Sequence, residues 1–338
     1  MNESVISNYL SSIYEERSDI HVYNLQNITS GWETEIWAFD VDWTENGEKW
    51  FQKLVARIYP GKNAAKKAER ESSTMKILVE LRYPVPEVHI VELDSQYFGQ
   101  PFIIMDRIEG TTIDDRLHED EDKWTEVFHH LFVNLHRLDW KKMHPNPSSI
   151  PSNDPFFYIK TTIMDYEHQL GYFKKPELLP IIEWMRKRTS DVPCDKLSII
   201  HGDFHTFNIL VDKLDQPFVI DWGASSIADL RTDVAWTLLL SFAYDSRELR
   251  NRILSGYEST LGSDLEQIEY FEVLATLRRL IDVTSSFEIG ADERGLRPEA
   301  VQMMKETAGH IDRVRQRLLE LTNISIPEID RFVETLIG

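Results

Sequence analysis

The polar residues best suited to chemistry stand close together, in the strings I-I-H-G-D-F-H-T-F-N-I-L-V and F-V-I-D-W-G. Asp203 and Asn208 lie five positions apart (208 − 203), and Asp221 lies thirteen beyond Asn208 (221 − 208). Each string sets its polar groups beside short apolar runs, which places them at strand ends or turns. A carboxylate five residues before an asparagine can orient a hydroxyl, while the amide oxygen and a second carboxylate offer hard donors to Mg2+. That combination suits phosphoryl transfer, where positioning and charge neutralisation do most of the catalysis. Taken singly, Asp and Asn are ordinary turn formers, and His201 reads as a residue that braces the loop. The specific signal is the whole string, with its spacing and its flanking strands.

Those groups need elements to hold them. Leu197–Ile200, Ile209–Val211 and Phe218–Ile220 read as one small β island in a helical region. Upstream, strands are expected over His21–Ile28, Glu33–Trp43 and Lys49–Tyr59, with Asn46-Gly47 as a tight hairpin turn. A helix is expected over Lys62–Leu81 and ends before Pro84 and Pro86, followed by strands Val88–Leu93 and Pro101–Ile108. From about Gly110 the periodicity turns helical: Trp124–Leu138, Ile159–Phe173, Glu177–Lys187, Val234–Ala243, Arg247–Leu261, Leu265–Phe287, Ala300–Leu321 and a last helix opening at Pro327. The expected fold class is α+β. A small N-terminal lobe of antiparallel sheet (1–107) precedes a larger, mainly helical catalytic and substrate-binding lobe (108–338).

With H-G-D-F-H-T-F-N followed by I-D-W-G, the sequence resembles the aminoglycoside phosphotransferase and choline kinase-like family, small-molecule kinases with a protein-kinase-like fold. The resemblance runs over roughly Ile28 to Ala243. It implies Asp203 as the catalytic base and Asn208 and Asp221 as metal ligands. S-G-W-E-T-E-I-W-A-F resembles the family's phosphate-covering hairpin, with Gly31 as its single glycine. L-V-A-R-I-Y resembles the strand whose basic residue holds the nucleotide phosphates, here Arg57 where many members have lysine. Its partner would be Glu71, with Glu69 as the other choice. P-F-I-I-M-D-R-I-E-G resembles the hinge, implying adenine contacts from the Asp106 carbonyl and the Ile108 N–H. His136 reads as packing, and Asp233 as a loop stabiliser or helix cap.

The resemblance implies Mg2+ and ATP (or GTP) as co-substrate, with a small hydroxyl-bearing acceptor that could be an aminoglycoside, another cationic compound, or a metabolite of choline, homoserine or sugar type. A catalytically silent nucleotide-binding module is the alternative. Composition narrows the field further. The 338 residues carry 37 basic and 57 acidic side chains, a net charge of −20, which disfavours nonspecific binding to nucleic acid. A single cysteine, Cys194, excludes an internal disulfide and any cysteine-rich zinc site. No apolar run reaches the ~20 residues of a membrane span, and the N-terminus lacks the pattern of a signal peptide, so a cytoplasmic location is expected.

Overall fold

The computed structural model describes residues 2–29, 34–150, 154–290, 302, 305–306 and 308–337. The chain forms two compact units, neither of them continuous in sequence. Among described residues, the first holds everything up to Thr111, together with Ile209–Gly223 and Gly290. The second holds Thr112–Asn208, Ala224–Ile289 and the described residues after 301.

In the first unit, helix α1 (Glu3–Ile13) leads into strands β1 (Arg17–Asn27), β2 (Glu35–Glu45) and β3 (Glu48–Ile58). Helix α2 (Ala64–Glu80) and strands β4 (Val88–Glu92) and β5 (Phe102–Asp106) complete an antiparallel sheet in the order β1-β2-β3-β5-β4. Asn46 and Gly47 both take positive φ, 53° and 81°, the conformation that matches a two-residue hairpin to strand twist. Strand alternation then sorts the side chains. Leu54, Ala56 and Ile58 join Phe39, Val41 and Trp43 in a core closed by Ile6, Tyr9 and Leu10 of α1. Arg57, one residue out of phase, points to the other face of the sheet. Helix α1 was not anticipated: its stripe is only three buried residues, and Asn2 caps it by accepting the Val5 N–H.

The second unit is helical: α3 (Ile113–Leu117), α4 (Glu121–Arg137), α5 (Phe157–Tyr172), α6 (Leu179–Arg186), α7 (Leu230–Tyr244), α8 (Arg247–Leu261), α9 (Ile268–Ile289), and two further helices, Gly309–Thr322 and Pro327–Ile337. Its central helix is α7, with buried residues around nearly its whole circumference. The expected single β island divides in the structure. Strand β7 (Leu197–Ile200) pairs antiparallel with an unanticipated strand, Ser226–Asp229. Strands β8 (Ile209–Asp212) and β9 (Pro217–Val219) form a hairpin beside the equally unanticipated strand β6 (Gly110–Thr112). Both unanticipated strands are too short and polar to stand out by periodicity.

Cys194 reports on the integrity of the second unit. It is buried, and burial together with the nearby Asp229 charge pushes its thiol up to about 12. At pH 8 only about one part in 10⁴ would be thiolate. Native protein should therefore react with Ellman's reagent at least a hundredfold more slowly than protein unfolded in guanidinium, and equal rates would show that the segment opens freely.

Candidate functional site

In the second unit, the turn after β7 is shaped by backbone demands. Gly202 takes φ 82°, and a Cβ placed there would stand 2.6 Å from the Ala224 carbonyl oxygen, so only glycine fits without movement. The N–H groups of His201 and Gly202 both point at one buried carboxylate, donating to Asp233 Oδ2 at 2.7 Å and Oδ1 at 2.8 Å. His136 Nε2 lies 3.2 Å from the same Oδ2, and its Nδ1 lies 2.7 Å from the Tyr257 hydroxyl. One turn further along α7, Trp236 Nε1 donates to Asp203 Oδ1 at 2.8 Å, and Thr237 donates to the Phe204 carbonyl at 2.7 Å. The Arg278 guanidinium lies 3.7 Å over the Trp236 ring and donates to the Gly202 carbonyl.

Asp203 is thus fixed yet still partly exposed, with His205 Nε2 3.5 Å from its second oxygen. Burial alone would raise its pKa. The His205 imidazole, the Trp236 N–H and the Arg278 charge outweigh that effect and hold it well below the usual carboxylate range. Asn208 donates its amide N–H₂ within the loop to the Asp203 carbonyl at 2.9 Å, and the same nitrogen lies 3.1 Å from His205 Nε2. Its amide oxygen is the atom that the loop does not use.

The first unit carries a second cluster. Arg57 is buried, with Nη2 2.5 Å from Asp221 Oδ1 and Nη1 3.3 Å from Glu71 Oε1. Burial opposes its charge, but the Asp221 and Glu71 carboxylates raise its pKa well above that of ordinary arginine. Tyr59 donates to Glu71 Oε2 at 2.7 Å, and Arg70 donates to the Gly223 carbonyl. Asp221 adopts φ 68°, a left-handed conformation that aspartate and asparagine tolerate better than most residues, and its side chain remains 44% exposed.

The sequence-derived residues therefore fall into two groups, Asp203 with Asn208 in one unit and Arg57, Glu71 and Asp221 in the other. Glu69 is exposed. Asp106 ends β5 and binds His89 Nε2 at 2.7 Å; Ile108 follows in the connecting segment, and Gly31 lies outside the described residues. The role of helix cap falls to Asp229, which accepts the Arg231 N–H at the start of α7, while Asp233 serves the loop. Sequence reading missed Trp236, His205, Arg278 and Tyr59. Of these, His205 and Tyr59 stand inside the strings that carry Asp203 and Arg57, whereas Trp236 and Arg278 come from distant helices.

A two-unit fold with an antiparallel sheet, a helical remainder and this turn defines the kinase-like phosphotransferases. Residues 24–271 match the model of the phosphotransferase enzyme family, and the chain belongs to that family. Human acyl-CoA dehydrogenase family member 11 is 24% identical over 205 residues, a match covering 58% of this chain and 26% of the relative. The chain thus spans about a quarter of the length of the curated relatives it matches. A candidate aminoglycoside phosphotransferase from Ralstonia eutropha JMP134 superposes with a TM-score of 0.60 at 15% identity, covering 94% of this chain and 98% of the other. Choline kinase LicA from Streptococcus pneumoniae gives 0.54 at 16%, covering 94% and 98%. A variant of aminoglycoside phosphotransferase APH(4)-Ia, in ternary complex with ADP and hygromycin B, gives 0.55 at 15%, covering 92% and 98%. At these identities the superpositions speak for the fold.

Removing the Asp233 carboxylate would strand two buried N–H groups, each costing about 1–3 kcal/mol. Asp233→Ala should lower unfolding stability by about 2–6 kcal/mol in urea titrations. A loss under 1 kcal/mol would mean that the turn stands without it.

Proposed function

We propose that this protein transfers the γ-phosphate of ATP to a hydroxyl group of a small molecule. Asp203 carries the reading: a carboxylate kept ionised, fixed through one oxygen and still partly exposed on an immobilised turn. It would orient the acceptor hydroxyl through its other oxygen and take the proton late in the transfer, as suits so weak a base. Arg57, anchored by Glu71, would bind the nucleotide phosphates. The hinge groups at Asp106 and Ile108, together with Gly31 of the covering hairpin, would complete the nucleotide site. In this reading residues 1–107 form the nucleotide-binding lobe and residues 108–338 the catalytic and acceptor lobe.

The donor atoms suit magnesium, since the unused amide oxygen of Asn208 and the part-exposed carboxylate of Asp221 are hard oxygens. Either ligand would leave room for phosphate and water oxygens, which this ion prefers to keep, and bound Mg2+ would neutralise phosphate charge. The APH(4)-Ia ternary complex contains ADP and hygromycin B, which supports a nucleotide and a small molecule as the two ligands here. Arg278 stands next to Asp203, so the surroundings of the acceptor are not uniformly acidic, and uncharged or anionic alcohols fit the reading as well as cationic ones.

Two measurements test this. Mg-ATP consumption should be screened across aminoglycosides, macrolides, amino alcohols, sugars and hydroxy acids. Asp203→Ala should abolish acceptor-stimulated turnover while ATP affinity stays within a few fold, and turnover within tenfold of wild type would defeat the assignment. For Arg57, calorimetric titration should show Arg57→Ala weakening ATP much more than adenosine, with Arg57→Lys restoring only part of the loss. Equal weakening of both ligands would remove the phosphate-binding role.

A further inference from the structure

The structure assigns Trp236 as a positioning residue for Asp203, acting through its indole N–H rather than through its bulk. This rests on the phosphotransfer reading above and adds to it the group that sets the angle of the carboxylate. Asp233, Trp236 and Thr237 stand at i, i+3 and i+4 on α7, and all three bind the turn 201–204: two backbone N–H groups, one carboxylate oxygen and one carbonyl. The first and third bonds fix the backbone of the turn. Only the second reaches the reactive side chain.

That bond has a particular consequence. The terminal torsion of an aspartate is broad and nearly two-fold, so packing alone leaves its oxygens poorly defined. The donor at 2.8 Å fixes Oδ1 and thereby presents Oδ2, whose neighbour is His205 at 3.5 Å. The indole is itself held. It is buried at 4% exposure, with the Arg278 guanidinium against its face at 3.7 Å, and Arg278 is tied to the Gly202 carbonyl at 2.8 Å. Such a cation–aromatic contact adds rigidity to the ring that carries the donor. Phosphoryl transfer depends on placing the nucleophile, so loss of the donor should appear in turnover and not in nucleotide binding.

Trp236→Phe keeps an aromatic face for Arg278 and removes only the donor and part of the ring. With Mg-ATP and water as the acceptor, kcat should fall roughly ten- to a hundredfold, while KM for ATP stays within about twofold and the melting temperature within a few degrees. A second readout needs no turnover. In protein labelled with ¹⁵N-tryptophan, the indole N–H assigned to Trp236 by its disappearance in Trp236→Phe should exchange slowly with solvent and lose that protection in Asp203→Ala. An indole resonance and exchange rate indifferent to Asp203→Ala, or a Trp236→Phe variant at full kcat where Asp203→Ala is silent, would overturn the assignment. A wild type that consumes no ATP with water or with any acceptor of the screen above, or an Asp203→Ala variant as active as the wild type, would instead defeat the phosphotransfer reading, and the catalytic role of Trp236 with it.

Discussion

Asp233 has no exposed side-chain surface and holds three groups at once: the N–H groups of His201 and Gly202, and the His136 imidazole. Burying a carboxylate costs several kcal/mol unless each oxygen finds donors, so the site works only if all of its partners are present together. Each partner adds a requirement. His136 must come from α4 and is fixed in turn by Tyr257 of α8, and Gly202 must bend through a conformation that only glycine accepts against Ala224. One buried charge thus couples three helices to a single turn. The result is a loop whose shape is settled before any ligand arrives.

Arginine at position 57 also shapes the buried ionic corner of the first unit. A lysine ammonium is a compact point charge, whereas the guanidinium spans two carboxylates with separate nitrogens, Nη1 toward Glu71 and Nη2 toward Asp221. Tyr59 and Arg70 extend the network to the Glu71 carboxylate and the Gly223 carbonyl. The strand, the helix α2 and the turn after β9 are held by side chains that would otherwise be costly to bury.

Much of this fold was legible because its signals are local. Asn46-Gly47 marks its hairpin, Pro84 and Pro86 follow the end of α2, and the helical stripes of α4 and α8 appear where periodicity puts them. The D-x-x-x-x-N string was legible because spacing survives in one dimension. What escaped depends on distance in sequence. Trp236 and Arg278 reach the turn from 33 and 76 residues away, and nothing near Asp203 announces them. Strand Ser226–Asp229 exists through its pairing with β7, not through its composition. The burial of Glu71 was hidden for the same reason, since a helix glutamate looks solvated until its arginine is known.

The hairpin Ile209–Gly223 belongs to the first unit although 97 residues of the second (Thr112–Asn208) precede it in the chain. During synthesis the sheet can therefore assemble early, but its Asp221 partner for Arg57 emerges only after those residues have been made. Arg57 and Asp221 stand 164 residues apart, so at about 5–20 residues per second Arg57 would wait roughly 8–33 seconds on the ribosome beside an unfinished neighbour. A cut after Thr111, which looks natural from the strand pattern, would leave that buried arginine permanently short of one counter-charge.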